Sequence, residues 1–572
     1  MSEGQARLER LMSMLRRRGV ILPAFQIHGG VAGLFDFGPI GGRLRRRLKN
    51  AWLNHWLSEG DIVEVDSPTI TPESVLIASG HVGEFNDYMS ECNNCNSAFR
   101  SDHLVEEHHP NPDSLNSADL DNIITERAVV CPGCGVSDWS NCRPMNLMFS
   151  TQIGAMKGSR LAYMRPETAQ GMFMLFPALY RHFRGRLPFG AVQSGKGYRN
   201  EISPRQGMIR LREFNMAELE YFIDPDVHIP HDFSPWDGEK FHLVQDPEFG
   251  EPISMSPREA ADANVIRHPT VAWFMARTWD FLTSVGIKPD KIRFRQHEGD
   301  EMAHYASDCW DAEIEGSYGW IECVGIAHRG CYDLNAHEVA TGDSNLRAWR
   351  SYDEPRIVDK TILSGVGSII GPTFKSQAGL VNQALTEIDT TSPTFPFELT
   401  LADGATVTIE EDMVENKRVQ NTEHGEWFLP HVVEPAFGID RILWHILDHA
   451  YDETEKGGEK YTVLHLANSI APIDVAILPL MEKEGLDSLA ESVHRLICSV
   501  PNLVSYYDGS GSIGRRYARA DEVGVPWAVT IDHESLSNST ATIRRRDDGK
   551  QIRVSIADIA KLISDNSLNQ LF

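Results

Sequence analysis

Residues 198–222 constrain this chain more than any other segment, because two charged, extended stretches flank a run of turn-forming residues. Ser203-Pro204 and Gln206-Gly207 favour a turn, so the segment is predicted to form a hairpin. Since side chains alternate along a strand, Arg199 and Glu201 share a face of the first strand, and Arg212, Phe214, Met216 and Glu218 share a face of the second. Such a face is either a platform for a phosphate, a base and an amine, or a charged surface in solvent. Periodicity alone leaves both open.

Two other segments carry isolated charges in apolar surroundings. In EPAFGIDRILW (434–444), an extended run changes to helical spacing after Gly438, so Arg441 is predicted at a strand-to-helix junction. There it is either an anion ligand beside helix-start amides or a surface salt-bridge partner. In the run 318–325, Trp320, Glu322 and Val324 are predicted to share a face. Glu322 is then either the structural partner of an arginine or a metal–phosphate ligand.

Composition limits the class of protein. A length of 572 residues predicts several domains, and 41% hydrophobic with 24% charged residues indicates a globular chain rather than a disordered one. A net charge of −27 means that any nucleic-acid contact must come from local basic patches. Because there is no apolar run of about 20 residues and no secretory signal, we expect a cytoplasmic protein without a membrane segment.

Periodicity predicts the elements that frame these segments. Helices are expected over 5–18, 41–58, 270–285 and about 376–388, with Leu44, Leu48, Trp52 and Trp56 on one face of the second. A short extended piece is expected over 64–68 and strand structure over 397–409. The polar segment 451–460 is predicted to be a hinge. From about 465 onward, strands alternate with helices, which predicts a small α/β domain.

The nine cysteines indicate a reducing compartment, since their number is odd and they are spread over a large chain. Two CxxC pairs predict a closed, structural zinc site with the ligands Cys92, Cys95, Cys131 and Cys134. The alternative is a set of reduced cysteines without metal. The remaining cysteines are predicted to be packing residues: Cys142, Cys309, Cys323, Cys331 and Cys498.

Together these segments resemble class II aminoacyl-tRNA synthetases, and within them the archaeal/eukaryotic dimeric type of glycyl-tRNA synthetase. The motifs that carry the resemblance run in order along nearly the whole chain: FDFGPIGGRLRR (35–46), RPETAQG (165–171), RNEISPR (199–205), MAHYASDCWDAE (302–313), WIECVG (320–325), EPAFGIDR (434–441) and GSIGRRYARADEVGVP (511–526).

The resemblance implies an α+β fold, with a class II antiparallel sheet flanked by helices, an inserted zinc-ribbon-like segment and a C-terminal α/β anticodon-binding domain. The expected divisions are 1–90 (start of the catalytic domain, with motif 1), 91–145 (zinc-knuckle insertion), 146–345 (catalytic core with motif 2), 346–425 (insertion domain), 426–460 (motif 3 and hinge) and 461–572 (anticodon-binding domain). Motif 1 implies a homodimer.

The implied function is a glycine–tRNA ligase, which forms glycyl-adenylate from glycine and ATP and transfers glycyl to the 3′ end of tRNA(Gly). The implied catalytic groups are Arg199 at the α-phosphate, Arg441 at the triphosphate or adenine, and Glu322 as a ligand of Mg²⁺. The implied ATP site contains Arg199, Asn200, Glu201, Ile209, Arg210, Leu211, Arg212, Glu213, Phe214, Glu322, Cys323, Gly438, Ile439, Asp440 and Arg441.

The implied glycine site uses carboxylates for the substrate ammonium and Arg329 for its carboxylate. Its residues are Arg100, Glu167, Phe214, Asn215, Met216, Ala217, Glu218, Arg329, Glu434, Pro435, Ala436, Phe437 and Gly438. Crowding around the ammonium would exclude a methyl group, so no editing domain is expected. The chain departs from the family at Ala436, where serine is usual, and at His328, where aspartate is usual. We expect Ala436 to weaken glycine binding without changing specificity.

Three other functions fit parts of the sequence. The chain could be a class II-like nucleic-acid-binding subunit without aminoacylation activity, a class II ligase for another small amino acid, or a zinc-ribbon scaffold. The basic run 43–49 is predicted to be a solvated helix face. Local basic patches for RNA are predicted at Arg515, Arg516, Arg519, Arg544, Arg545 and Arg546.

Overall fold

The computed structural model describes residues 3–109, 111–155, 158–202, 204, 207–245, 252–297, 308–388, 393–456 and 458–572. Parts of two motifs, Ser203, Arg205 and Gln206 in the hairpin loop and residues 302–307, lie outside the described residues.

The strands of the first half are β1 (Ile21–Pro23), β2 (Phe35–Phe37), β3 (Ile62–Glu64), β4 (Ile70–Pro72), β5 (Asn86–Glu91), β6 (Ala98–Arg100), β7 (Arg143–Asn146), β8 (Ser150–Ile153), β9 (Arg160–Met164), β10 (Phe189–Tyr198), β11 (Glu213–Ile223), β12 (Phe241–Val244), β13 (Ile253–Met255) and β14 (Ile292–Gln296). Those of the second half are β15 (Asp308–Gly316), β16 (Gly319–Gly330), β17 (Ala348–Gly365), β18 (Phe397–Thr400), β19 (Thr406–Ile409), β20 (Val414–Phe428), β21 (His431–Phe437), β22 (Tyr451–Lys456), β23 (Glu459–Leu464), β24 (Val475–Pro479), β25 (Ser505–Tyr507), β26 (Trp527–Ile531), β27 (Thr540–Arg545) and β28 (Gln551–Ser555).

The α-helices are α1 (Glu3–Arg17), α2 (Pro39–Leu57), α3 (Glu73–Ala78), α4 (His81–Glu84), α5 (Ser101–Val105), α6 (Ser117–Glu126), α7 (Ala169–His182), α8 (Pro257–Asp262), α9 (Pro269–Ser284), α10 (Tyr332–Thr341), α11 (Gly367–Phe374), α12 (Ala378–Thr386), α13 (Ile439–Ala450), α14 (Leu486–Cys498), α15 (Ile513–Glu522), α16 (His533–Asn538) and α17 (Ile559–Ser564). None of the helices within these described ranges is long and apolar enough to cross a membrane.

The centre of the first unit is a nine-stranded sheet with the order β13-β12-β14-β15-β16-β21-β11-β10-β3. Neighbouring strands are antiparallel except at β12/β14 and β10/β3. Odd positions of β11, such as Ala217, Leu219 and Tyr221, join the buried cluster that contains Trp52 of α2 and Phe274 of α9. Even positions of β11 consequently face the opposite side of the sheet, where the functional site lies.

Several predicted elements are present with small shifts. Helices α1, α2 and α9 confirm three of the predicted helices, and the four predicted apolar residues of α2 are buried. The predicted extended piece begins two residues earlier, as β3, and ends before Pro68. Residues 397–409 form the hairpin β18/β19 instead of a continuous strand, because the turn at Asp403-Gly404 divides them.

The segment 451–460, predicted to be a hinge, has regular structure, and its role as a hinge stays a prediction. These residues belong to the hairpin β22/β23, whose register runs from Tyr451 opposite Leu464 to Lys456 opposite Glu459. The hydroxyl of Tyr451 donates to Glu453 at 2.6 Å, and the hydroxyl of Tyr461 donates to Asp521. Cross-strand pairing therefore gives regular structure to a segment whose polar composition suggested a hinge.

Residues Arg347–Leu429 form a second compact unit. The long strands β17 and β20 pair with each other, and α11, α12 and the hairpin β18/β19 surround a small apolar core that includes Leu363, Ile370, Val381 and Leu385. This unit has its own hydrophobic centre.

The C-terminal part of the first unit is a five-stranded sheet with the order β25-β24-β26-β27-β28. The pairs β24/β25 and β24/β26 are parallel and the others antiparallel. Asp474 lies immediately before β24. The two terminal nitrogens of the Arg47 guanidinium, on α2, donate to its carboxylate at 2.7 and 2.6 Å. The predicted alternation of strands and helices beyond residue 465 is confirmed.

Candidate active site

A cavity of about 250 Å³ lies on the face of the central sheet formed by the even positions of β11. It is lined by Glu167, Arg199, Glu201, Met208, Ile209, Arg210, Leu211, Phe214, Asn215, Met216, Glu218, Glu322, Cys323, Arg329, Glu434, Ala436, Phe437, Gly438, Asp440 and Arg441. Residues from the hairpin loop, three strands and the start of α13 therefore share one cavity. Of the lining residues, Met208 alone was not predicted from the sequence.

One end of the cavity is cationic and aromatic. The guanidinium of Arg199 lies 5.5 Å from the ring centre of Phe214 and 5.2 Å from that of Phe85. Its Nε is buried and has no hydrogen-bond partner within the described part of the chain. A half-buried cation with an unused donor is suited to an anionic ligand.

Arg441, in the first turn of α13, is fixed by backbone carbonyls. Its guanidinium donates to the carbonyl of Glu322 at 2.8 Å and to that of Ile209 at 3.2 Å, and it lies 3.3 Å from the carboxylate of Glu322. The predicted strand-to-helix junction is confirmed, since β21 ends at Phe437 and α13 begins at Ile439.

A β-bulge places Glu322 and Cys323 on the same cavity wall. Ala312 pairs with Val324 and Glu313 pairs with Glu322, which leaves Cys323 as an extra residue in β16. The prediction that Glu322 and Val324 share a face is therefore wrong. The carboxylate of Glu322 is about half exposed while Val324 is buried, because the extra residue reverses the alternation.

The other end of the cavity is acidic. Glu218 accepts hydrogen bonds from the backbone N–H of Thr168 at 2.7 Å and from its hydroxyl. Glu434 accepts from Arg329 at 2.5 Å. Glu167 accepts from Gln170 at 2.9 Å. We call Glu167, Glu218 and Glu434 the carboxylate cage.

Burial and mutual repulsion shift the pKa values in the cage. Burial, with the charges of Glu434 and Glu167 added, raises the pKa of Glu218 to about 8. Burial also raises the pKa of Glu434, although Arg329 opposes this. For Glu167 burial acts in the same direction, but His81, at 3.4 Å, and Arg329 outweigh it, and its pKa is lowered. A site with this excess of acid favours a cationic group such as an ammonium.

Arg329 is almost fully buried, and acidic side chains bind its guanidinium. Besides Glu434, its guanidinium donates to both carboxylate oxygens of Asp333, at 2.8 and 3.0 Å, and only 3% of its side chain is exposed. These bonds fix Glu434 in the cage. The family resemblance implies that Arg329 binds the carboxylate of the substrate. In this geometry its neighbours are Glu434 and Asp333.

Some predicted ATP-site residues lie outside the cavity lining. Arg212 instead binds the carbonyls of Glu201, at 2.8 Å, and Ala32, at 2.9 Å, so it holds the hairpin loop from outside. Glu213 pairs with Lys196, and Ile439 is buried in the core. The backbone N–H of Asn200 donates to the carbonyl of Leu147 at 2.6 Å.

Three predicted glycine-site residues also lie outside the lining. Arg100 forms ion pairs with Asp87, at 3.1 Å, and with Asp102. Ala217 faces the helical layer because it occupies an odd position of β11, and Pro435 is buried within β21. The sequence did not single out Thr168, His81 or Asp333, which act through other residues and lack a distinctive spacing.

The two departures from the family lie in different surroundings. Ala436 lines the cavity opposite Glu218. His328 is 5% exposed and stacks on His268 with ring centres 4.0 Å apart, while His431 lies 5.3 Å away. Burial, with these two rings nearby, lowers the pKa of His328 to about 3.

The four cysteines of the two CxxC pairs come together. Cys92 and Cys134 have sulfurs 3.6 Å apart, and Cys95 and Cys131 have sulfurs 3.7 Å apart. Four sulfurs at about 2.3 Å from a tetrahedral zinc stand about 3.8 Å apart, so the cluster fits a zinc ion. The segment between the pairs contains β6, α5 and α6.

Most of the basic patches predicted in the C-terminal α/β part are wrong. Arg516, Arg544 and Arg546 are buried: Arg516 and Arg546 bind backbone carbonyls, and Arg544 binds Asp521 through two bonds of 2.9 Å. Arg519 and Arg545 form ion pairs with Asp508 and Asp548. Arg515 is exposed. Helical spacing identified a charged face but could not show which arginines point inward.

Comparison with known proteins decides the family. A family model described as an anticodon binding domain matches residues 474–566. The chain is 42% identical over 565 residues to the glycine–tRNA ligase of Methanothrix thermoacetophila, covering 98% of this chain and 97% of the relative. It belongs to the glycine–tRNA ligase family. The glycine–tRNA ligase of Archaeoglobus fulgidus is 41% identical (98% and 96% covered), and that of Methanocaldococcus jannaschii is 40% identical (97% and 98% covered).

A solved structure supports the same fold. The prolyl-tRNA synthetase of Giardia lamblia, in complex with prolyl-adenylate, aligns with a TM-score of 0.50 at 13% identity, covering 97% of this chain and 76% of that one. The predicted class II sheet with a C-terminal α/β anticodon-binding domain is thus confirmed. Membership of the glycine–tRNA ligase family makes this chain an aminoacyl-tRNA ligase.

Proposed function

We propose that this chain joins glycine to ATP as glycyl-adenylate, releases pyrophosphate, and transfers glycyl to the 3′ end of tRNA(Gly). The observation that carries the proposal is the polarity of one cavity. Arg199, Arg441 and Phe214 lie at one end, and the carboxylate cage lies at the other. An adenylate of an amino acid has the matching polarity, because its base and phosphate lie opposite a free ammonium group.

In the first half-reaction a glycine carboxylate oxygen attacks the α-phosphorus in line. The new O–P bond forms as the bond to pyrophosphate breaks, so the protein chiefly positions reactants and neutralises charge. Arg199 is assigned to the α-phosphate, since its buried Nε has no partner among the described residues. Phe214 is assigned to adenine, and Arg441 to the triphosphate.

Mg²⁺ would be held by Glu322, with ATP phosphates as further ligands. The fit rests on a hard carboxylate that is about half exposed on the cavity wall, beside Arg441. When bound, the ion neutralises charge on the phosphates. Arg441 orients this carboxylate, and the bulge at Cys323 directs it toward the cavity.

Specificity for glycine is assigned to the carboxylate cage. Its groups would accept hydrogen bonds from the substrate ammonium and occupy the space that a methyl group requires. A larger amino acid is then excluded by clash, whereas nothing smaller competes. Arg329 positions Glu434 in this assignment through the bond of 2.5 Å.

The remaining partners follow from the family and from single features. We propose a homodimer formed through α2 and β3, and binding of the tRNA anticodon by residues 474–566. We propose structural zinc at the four-cysteine cluster. A cytoplasmic location is supported by the cysteines, since none of the nine is paired in a disulfide.

ATP–pyrophosphate exchange with each standard amino acid in turn tests the activation step, and charging of tRNA(Gly) tests the transfer step. We expect exchange with glycine alone. Exchange with alanine or serine at a similar rate would contradict the role of the cage. Absence of exchange with every amino acid would favour the binding subunit without aminoacylation activity.

A further inference from the structure

Glu220 is a buried acid that the assignments above leave without a role. It follows Glu218 by two residues on β11, so both side chains leave the same face of the sheet. Its residue exposure is 0%, and neither carboxyl oxygen has a hydrogen-bond partner within the described ranges. A buried carboxyl group without a donor is costly when ionised.

The neighbours of Glu220 are two members of the carboxylate cage. The register that pairs Glu218 with Ala436 and Tyr221 with Val433 puts Glu220 across from Glu434. One carboxylate oxygen from each of Glu218, Glu220 and Glu434 lies within 4.8 Å of the others. Ionised carboxylates only accept hydrogen bonds, so three of them cannot satisfy one another.

The three acids do not share the available donors equally. Glu218 accepts from Thr168, and Glu434 accepts from Arg329. Glu220 has no such donor among the described residues. A proton on one acid removes its repulsion with the others and turns one of its oxygens into a donor, and Glu220 is the acid without any hydrogen-bond partner among the described residues.

Most of the charges around Glu220 raise its pKa. Burial raises its pKa most, and Glu434, Glu218 and Asp333 raise it further, while Arg329 lowers it. These charged groups lie on β21, β11, α10 and β16, the elements around the site. The electrostatic surroundings therefore agree with the lack of hydrogen-bond donors at Glu220 among the described residues.

We propose that Glu220 is held as a neutral carboxylic acid that donates its O–H to Glu434. Glu434 is then fixed by two donors, Arg329 and Glu220, with its charge available to the substrate. Glu220 is a positioning residue, since it does not line the cavity. This role rests on the proposed glycine site.

The protonation state can be measured without activity. Infrared spectra of the wild-type chain and of Glu220→Gln near neutral pH report the C=O stretch of a protonated carboxylic acid, which is separate from carboxylate bands. We expect this band to be weaker in Glu220→Gln than in the wild type. Equal intensity in the two spectra would overturn the proposal.

The positioning role is tested by the KM for glycine in ATP–pyrophosphate exchange. Glu220→Gln keeps a donor to Glu434, so we expect KM for glycine within about threefold of the wild type. Glu220→Leu has a similar size but no donor, and we expect it to raise this KM about tenfold or more, with KM for ATP unchanged. A merely structural role would move both KM values or neither.

The control is Glu315→Gln, which changes a partly exposed acid on the same sheet that pairs with Lys291 at 2.5 Å. It should leave both KM values unchanged. If Glu220→Leu has the wild-type KM for glycine, or if Glu220→Gln is as impaired as Glu220→Leu, the proposal is wrong. If Glu220→Leu does not fold, the Gln variant and the infrared comparison decide. A wild-type chain inactive with glycine overturns the proposed function, whereas the infrared result still decides the proton on Glu220.

Discussion

The backbone N–H of Gly438 donates to the carbonyl of Cys323 at 2.8 Å, and this bond joins the start of α13 to the bulge in β16. In the first turn of α13, Arg441 donates to the carbonyl of Glu322 at 2.8 Å. Two adjacent carbonyls of one bulge therefore hold the junction and its arginine. A Cβ at position 438 would lie 3.4 Å from the Cys323 oxygen, so the two segments approach to van der Waals contact.

Replacing Arg199 by alanine should reduce ATP–pyrophosphate exchange by about 10²–10³-fold, because a buried donor to the transition state is lost. Circular dichroism should remain that of the wild type, since this guanidinium lies at the cavity. Arg258→Ala is the matched control, as that arginine is exposed and pairs with Asp237 at 3.0 Å. Retained exchange in Arg199→Ala would show that another group carries the α-phosphate.

Replacing Ala436 by serine should lower the KM for glycine by about two- to tenfold, the value of one hydrogen bond. The new hydroxyl would enter the cavity opposite Glu218. Exchange with alanine should stay undetectable, because the carboxylate cage is unchanged. An unchanged KM would mean that the departure at this position does not weaken binding.

Zinc analysis by mass spectrometry should find one ion per chain, and Cys95→Ser should lose it. Metal loss should also lower the melting temperature, because Cys92 and Cys131 belong to the same buried cluster as Phe99 and Leu120. Cys142→Ser is the control, since the Cys142 thiol donates to Ser101 at 3.2 Å and lies outside the four-sulfur group. Zinc at wild-type level in Cys95→Ser would contradict the site.

Replacing His328 by asparagine should make the protein less sensitive to acid. The folded-state pKa of His328 is lowered to about 3, so the unfolded chain binds one more proton than the folded chain between that value and about 6.5. Stability from the neutral imidazole is thus lost as the pH falls through this window.

In His328→Asn, the slope of unfolding free energy against pH should become shallower by up to about 1.4 kcal/mol per pH unit. Urea unfolding at several pH values measures it. His533→Gln, at an exposed histidine, is the control. An unchanged slope in His328→Asn would mean that this ring is not the acid-sensitive group.

Arginines of the C-terminal α/β part should separate into an exposed class and a buried class. Arg515→Ala should weaken tRNA binding and reduce its salt dependence without loss of stability, because this side chain is exposed. Arg544→Ala should lower stability by about 3–5 kcal/mol, because it leaves the buried Asp521 without its charged partner. Filter binding at several salt concentrations and urea unfolding distinguish the two. Equal effects of both variants on stability would contradict this division.

The sequence predicted local elements well where one periodicity ran without interruption. Helix α2 was predicted from the spacing of four apolar residues, and the strand-to-helix junction at Arg441 from a change of period. Ala217 also follows directly from alternation, which directs it away from Glu218. The motif resemblance nevertheless included it in the glycine site.

The features missed were those in which one residue changes the pattern or a partner comes from a distant part of the chain. The extra residue in β16 reverses alternation at Glu322, and no spacing in the sequence marks it. Arg544 can be buried because Asp521 pairs with it, and Glu434 can be buried because Arg329 pairs with it. Glu220 is similar, because its isolation depends on which donors its neighbours have already engaged.

The ion pairs of α1 bear on how the molecule assembles during synthesis. Arg7 pairs with Asp448, Arg10 with Glu453 at 2.7 Å, and Arg18 with Glu522. These acids are separated from their partners by 441, 443 and 504 residues. These ion pairs can therefore form only after the distant acids have been synthesised. The pair of Arg18 with Glu522 is the last of the three that can close, since its acid is synthesised last.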